Sequence, residues 1–210
     1  MKPFDTTLYF ITDSTGLTEE EFLRRTEAAL QGGVTLLQLR EKDRSTREYL
    51  TLAEKVHTLT RKYHIPLIVD DRLDIAMAMD AEGVHLGQSD LPVSLARKLF
   101  GADKIIGATA KTVPQALEAW QQGADYLGVG ALFPTTTKVK TVLTSPETLK
   151  DICNAVPIPV NAIGGLHKDN IHILAGIPIA GICVVSAIMK AEDPRQAAME
   201  LRARAKELGL

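Results

Sequence analysis

Eight short apolar runs punctuate the 210-residue chain, at Leu8–Thr12, Thr35–Arg40, Pro66–Asp70, Gly83–Gly87, Lys104–Thr109, Asp125–Gly130, Pro159–Gly164 and Gly181–Ser186. Their ends follow one another at about 25 residues on average, the length of one strand, one helix and two short loops. Apolar residues within each run are mostly continuous, as in strands covered on both faces. Helical patterns lie between them. In Thr18–Gln31 the residues Phe22, Thr26, Ala29 and Leu30 share a face, and Thr18 with Glu21 has capping-box spacing, which Ser45 and Glu48 repeat. The next helix is expected to bury Leu52, Val56, Leu59 and Tyr63. Thr112, Ser145 and Asp193 each precede an early proline as helix starts, and Gly32, Gly101, Gly123 and Gly176 supply stops. Eight strand-helix units without a dinucleotide fingerprint after the first strand favour a (β/α)8 TIM barrel over an open doubly wound sheet. No linker or low-complexity segment interrupts the pattern, so residues 1–210 read as a single barrel catalytic domain.

Composition excludes several alternatives. With 45% apolar and 24% charged residues the chain is globular rather than collagen-like, coiled-coil or disordered. Its 24 basic and 26 acidic side chains give a net charge of −2, which speaks against a nucleic acid or an anionic membrane as main partner. The N-terminal apolar run Leu8–Ile11 is too short for a signal peptide, and Cys153 and Cys183 are the only cysteines, so reduced thiols and a cytoplasmic location are expected. Asn170–Met189 carries no formal charge over 20 residues, but His172, Gly176, Pro178 and Gly181 interrupt it. It reads as a short helix, a turn and a buried strand rather than a membrane span.

Chemistry in such a barrel sits at the carboxyl ends of the strands. There Gln38, Arg40 and Lys42 alternate with Leu37, Leu39 and Glu41, which aims the polar set into the mouth and the leucines at the helices. Arg40 and Lys42 side by side call for an anion; the alternative is an internal salt-bridge layer with a carboxylate of a neighbouring strand. Asp70-Asp71 and Asp90 end adjacent strands, and carboxylates beside cations suit Mg²⁺ held by one or two carboxylates and by phosphate oxygens. Asp71 could instead cap the following helix. Strand six leads into Phe133–Lys138, a threonine-rich loop suited to clamping a substrate or, alternatively, a solvated surface loop. Gly164-Gly165 and Ser186 end strands seven and eight, where barrels often bind a monophosphate. His85 reads as a satisfied interior histidine; His57, His64, His167 and His172 read as solvated, and Cys183 as packing. Cations and a metal without an activated nucleophile point to ionising a diphosphate leaving group.

Six ordered segments, Gln38–Lys42, Asp71–Ala76, Gly83–Asp90, Gly128–Lys138, Ala162–Gly165 and Val184–Ile188, make the chain resemble the thiamine-phosphate synthase family over essentially its whole length. The resemblance implies a Mg²⁺-dependent transferase of thiamine biosynthesis. It joins 4-amino-2-methyl-5-(diphosphooxymethyl)pyrimidine to thiazole phosphate, giving thiamine phosphate and pyrophosphate by dissociative loss of the diphosphate. By matching motif, Gln38, Leu39, Arg40, Glu41, Lys42, Asp70, Thr109 and Lys138 would bind the pyrimidine diphosphate, with Arg40, Lys42, Lys138 and Thr109 serving catalysis. Asp71 and Asp90 would hold the metal. Thr135, Thr136, Thr137, Gly165, Val185 and Ser186 would bind the thiazole phosphate, and the Pro134–Lys140 loop would exclude water.

Three positions depart from the family's usual pattern. Asp70 stands where Asn is usual, Thr109 where Ser is usual, and Lys111 falls near a customary histidine and could add a cation at the diphosphate end. A thiazole tautomerase-like isomerase on the same fold stays open as an alternative, as does an inactive thiamine-pathway binding module. The partners implied are small molecules, and a homodimer is compatible with a barrel of this size.

Overall fold

The computed structural model of the chain describes residues 4–135 and 142–210. Among them the strands β1 (Leu8–Ile11), β2 (Leu36–Leu39), β3 (Leu67–Asp70), β4 (Gly83–Leu86), β5 (Ile105–Ala110), β6 (Tyr126–Val129), β7 (Val160–Ile163) and β8 (Gly181–Val184) pair in parallel, in chain order. β8 pairs back onto β1, Cys183 opposite Tyr9, and the sheet closes into the expected (β/α)8 barrel. The helices are α1 (Glu19–Gln31), α2 (Thr46–Lys62), α3 (Leu73–Ala78), α4 (Val93–Phe100), α5 (Val113–Gln121), α6 (Pro146–Ala155), α7 (Ser186–Met189) and α8 (Pro194–Glu207). A 3-10 turn at Ile171–Leu174 stands between β7 and β8.

Local chemistry starts these helices where the sequence predicts. The Thr18 hydroxyl accepts the Glu21 N–H at 3.2 Å, and Ser45 and Glu48 form a reciprocal capping box. Thr112, Ser145 and Asp193 cap α5, α6 and α8, each with a proline in the first turn. Each cap contributes about 1 kcal/mol by satisfying an orphan N–H. Phe22, Thr26, Ala29 and Leu30 are all buried on α1. On α2 Leu52 and Val56 are buried, while Leu59 and Tyr63 pack at the margin of the core.

Every strand has two differently used faces. Outward side chains such as Leu37, Leu39, Leu67, Val69, Val84 and Leu127 join the helices in one large apolar layer. Inward side chains Tyr9, Ile11, Leu36, Ile68, Ile105, Tyr126 and Cys183 form a second cluster inside the barrel.

Two details differ from the sequence reading. β8 stops at Val184 rather than Ser186, because the Val185 carbonyl accepts the N–H groups of Ile188 and Met189, so that Ser186 opens α7. His57 is not solvated: it is 6% exposed and meets Glu82 Oε1 at 3.1 Å, while the other Glu82 oxygen accepts the Leu67 N–H at 2.9 Å. This pair ties α2 to the amino-terminal edge of β3, whereas His64, His167 and His172 are exposed. As the sequence predicts, the uncharged stretch 170–189 is not a single span: it holds the 3-10 turn, β8 and α7, and no described helix is long and apolar enough to cross a membrane. Both thiols are unpaired; burial pushes Cys153 up to about 11 and raises Cys183 further, which keeps both protonated.

One polar cluster holds the other end of the barrel. Asp125 Oδ2 accepts the Ile106 N–H at 2.7 Å and Arg97 Nη2 at 2.5 Å, and Arg97 also reaches the carbonyls of Gly101, Gly123 and Lys104. Asp125→Ala leaves the Ile106 N–H without its acceptor and the Arg97 guanidinium without its carboxylate, so we expect a loss of about 3 kcal/mol in urea unfolding. Asp125→Asn, which keeps one acceptor, should lose less.

Candidate active site

A cavity of about 460 Å³ opens at the carboxyl ends of the strands, and all eight strands or the loops that follow them contribute to its wall. Period-two alternation puts Gln38, Arg40 and Lys42 on that wall. The same alternation turns Leu39 and Glu41 away. The Leu39 side chain lies in the outer core and its carbonyl accepts the Tyr49 hydroxyl at 2.7 Å. Glu41 accepts Ser14 Oγ and Arg44 Nε, each at 2.8 Å.

Across from Lys42 stands the end of β3. Lys42 Nζ meets Asp70 Oδ2 at 2.8 Å and contacts Asp71 more closely still, and Arg40 Nε lies 3.8 Å from the same Asp70 oxygen. An interstrand salt-bridge cluster is therefore what these cations form without a ligand. Burial, then the neighbouring Asp71, pushes the Asp70 carboxyl up to about 6, against the pull of Lys42 and Arg40. Burial opposes the charge on Lys42, but Asp70 and Asp71 outweigh it and raise its pKa. Arg72 forks onto Asp74 at 2.8 and 2.6 Å instead of pairing with Asp70.

Asp71 has φ +60° and its N–H donates to the His85 carbonyl at 2.8 Å. It does not cap α3, whose N-cap is Arg72 without a side-chain hydrogen bond. A non-glycine residue in the left-handed region is held there by its surroundings and aims its side chain where an ordinary turn would not. What Asp71 meets is Asp90, close enough that each carboxyl shifts the pKa of the other. Asp90 Oδ2 in turn accepts the Gly87 N–H at 2.6 Å. Burial, assisted by Asp71, raises the Asp90 carboxyl, whereas on Asp71 burial is outweighed by the Lys42 ammonium, which lowers it. Two apposed carboxylates facing an open cavity fit a divalent cation whose remaining ligands are phosphate oxygens and water.

The opposite side of the mouth is made of backbone. Gly164 has φ +104° and Gly165 φ +65°, and a Cβ on Gly164 would sit 2.4 Å from the Ala131 Cα. Gly165, Val185, Ser186 and Thr135 line this side. Thr136, Thr137, Lys138 and the rest of the expected lid as far as Lys140 lie outside the described residues. The remaining positions singled out in the sequence, Asp70, Asp71, Asp90, Thr109 and Lys111, all line the cavity.

Sequence reasoning missed the floor. Gln38 Nε2 donates to the Tyr9 hydroxyl at 2.6 Å, and Tyr9 and Tyr126 hydroxyls lie 2.7 Å apart. His85 Nδ1 is 3.1 Å from the Tyr126 hydroxyl and His85 Nε2 is 2.9 Å from Thr109 Oγ1. Tyr9 and Tyr126 lie within apolar strand runs, and nothing in their local sequence marks them as hydrogen-bonding partners.

A closed (β/α)8 barrel with clustered cations, paired carboxylates and a double-glycine turn around one mouth belongs to the class of enzymes that act on phosphorylated small molecules. The family described as thiamine monophosphate synthase matches residues 8–188. Thiamine-phosphate synthase 2 of Streptococcus pneumoniae is 53% identical over 186 residues, 89% of each chain. A thiamine-phosphate synthase of Clostridium tetani is 49% identical over 200 residues, 95% of this chain and 96% of that one. Among solved structures, a thiamine phosphate pyrophosphorylase from Pyrococcus furiosus superposes with a TM-score of 0.87 at 42% identity over 96% of both chains. The chain belongs to the thiamine monophosphate synthase family and is an enzyme of thiamine biosynthesis with thiamine-phosphate synthase activity.

Asp70 competes with any anion for Lys42 and Arg40. Removing one charge about 4 Å away in a half-buried setting is worth 1 kcal/mol or more, so Asp70→Asn should bind inorganic pyrophosphate about tenfold more tightly in calorimetry. Unchanged affinity would show that the two cations do not receive the anion.

Proposed function

We propose that the chain joins 4-amino-2-methyl-5-(diphosphooxymethyl)pyrimidine to thiazole phosphate with the diphosphate on the β2–β4 side of the cavity and the monophosphate on the β7–β8 side. The observation that carries this reading is the partition of the mouth. Arg40, Lys42, Asp71 and Asp90 stand on one side, and backbone-built Gly164-Gly165 with Ser186 on the other.

In this reading Gln38 and Thr109 take the pyrimidine ring, while Arg40 and Lys42 exchange Asp70 for diphosphate oxygens. Asp71 and Asp90 hold Mg²⁺, which when bound neutralises charge on the departing pyrophosphate. Gly165, Val185, Ser186 and Thr135 cradle the thiazole phosphate; Thr136, Thr137 and Lys138 are assigned to the substrates by motif alone. The bond between the methylene carbon and the diphosphate oxygen breaks first, and its electron pair leaves on oxygen. The ring amine stabilises the methylene cation until the thiazole nitrogen supplies the pair for the new C–N bond. No proton is removed in either step, which agrees with a mouth rich in cations and with His85 engaged by Tyr126 and Thr109. Positioning and leaving-group stabilisation supply the rate. Two unpaired cysteines support a cytoplasmic location.

Purified protein given both substrates and Mg²⁺ should release pyrophosphate and thiamine phosphate in equal amounts, and chelator or Asp71→Ala should abolish both. Arg40→Ala or Lys42→Ala should lower kcat/KM for the pyrimidine diphosphate about 100-fold while moving the KM for thiazole phosphate by less than about threefold. If both substrates lose affinity equally, the partition of the cavity is wrong.

A further inference from the structure

The floor of the cavity is a single hydrogen-bonded chain that crosses the barrel interior, Gln38, Tyr9, Tyr126, His85 and Thr109, drawn from β2, β1, β6, β4 and β5. Its members have no slack. Tyr9 and Tyr126 are fully buried and meet edge to face with ring centres 5.7 Å apart. The Tyr126 ring lies against Gly107, where a Cβ would come within 2.1 Å of Tyr126 Cζ, and a Cβ on Gly128 would come within 3.3 Å of His85 Cε1. Burial raises both phenols well above their ordinary values, so each keeps one proton and donates once.

Direction along such a chain is determined from one end. Gln38 turns its amide N–H to Tyr9, and an amide nitrogen only donates. Tyr9, accepting there, gives its own proton to Tyr126, and Tyr126 gives its proton to His85 Nδ1. That leaves the histidine proton on Nε2, donated to Thr109 Oγ1, and the Thr109 hydroxyl proton turned to the cavity. The Gln38 carbonyl, turned away from Tyr9, is the acceptor that the amide offers a ligand. Reversing any one link reverses all of them, because each hydroxyl has a single proton and each neutral imidazole one N–H.

We infer that Tyr9, Tyr126 and His85 are positioning residues that set the hydrogen-bonding polarity of the cavity floor. With Gln38 as acceptor and Thr109 as donor, the floor selects a planar ring with an amine next to an unprotonated ring nitrogen and rejects the oxo ring with the opposite pattern. This rests on the reading that Gln38 and Thr109 face the pyrimidine. A 4-oxopyrimidine carries an acceptor oxygen beside a protonated nitrogen, so it faces the wall with both contacts mismatched. A buried mismatch of this kind is penalised far more than a missing contact.

Binding rather than turnover isolates the effect, since the amine also serves the chemistry. In calorimetry the wild type should prefer 4-amino-5-hydroxymethyl-2-methylpyrimidine phosphate over its 4-oxo counterpart by about 100-fold or more. Tyr126→Phe keeps the ring over Gly107 and cuts the chain at its centre, leaving His85 and Gln38 to turn independently. The preference should fall by at least about tenfold, through weaker amino binding together with stronger oxo binding, with thiazole phosphate affinity unchanged. A loss of affinity equal for both rings, or a retained preference in a folded variant, overturns the polarity assignment while leaving the placement of the pyrimidine intact. Failure of the wild type to bind either ring, while thiazole phosphate still binds, overturns that placement and this inference with it. Nitrogen NMR of the labelled imidazole gives an independent reading. The wild type should show His85 protonated at Nε2 and bare at Nδ1, and the reverse pattern refutes the assigned direction.

Discussion

The interior of an eight-stranded parallel barrel holds only so many side chains, and the rest of this molecule follows from how that volume is divided. Large inward residues on one strand require small ones on the next. A Cβ on Gly107 would strike the Tyr126 ring, and one on Gly83 would come within 2.5 Å of Ile68 Cδ1. Such large-against-small packing fills the barrel up to the level of Tyr9 and Tyr126. Beyond that level most inward positions carry polar groups or glycine, with Ile11, Ile163 and Val185 between them, and the unfilled volume is the cavity. The site is thus where the packing stops, with a floor that is itself the last packed layer.

Charge in that volume is held by mutual pairing. Lys42, Arg40 and Asp70 would each be expensive to bury alone, and their pairing offsets part of that cost. The arrangement also keeps the cations facing the cavity, so an anion entering there has to displace a carboxylate rather than collect loose side chains. Asp71, held in the left-handed region and facing Asp90, sets a pair of carboxylates beside these cations.

Much of this was legible along the chain. Strand positions follow from eight apolar runs, and each strand end was read within two residues; β8 was the outlier, because Val185 starts a turn that only the α7 contacts reveal. Alternation correctly separated Arg40 and Lys42 from Leu37, yet family likeness carried Leu39 and Glu41 into the substrate set, although their side chains face the helices and Ser14. His57 looked like a solvated helix residue because Glu82, its partner, is 25 residues away in sequence. The floor was invisible for the same reason: Tyr9 and Tyr126 meet across 117 positions, and nothing local distinguishes a strand tyrosine that packs from one that relays a hydrogen bond.

By itself the sequence determined which faces are apolar, where helices start and stop, how many strand-helix units there are and which charged side chains reach the barrel mouth. Those are consequences of local periodicity and of short-range hydrogen bonds, which need no partner distant in the chain. Only the tertiary structure decided that Asp70 rather than Arg72's neighbour Asp74 receives Lys42, that Asp71 meets Asp90, and that five residues from five strands share one line of hydrogen bonds. Each of those depends on strand order, register and the closing of β8 on β1. Barrel closure brings residues together at a few ångströms with no trace in their spacing along the chain.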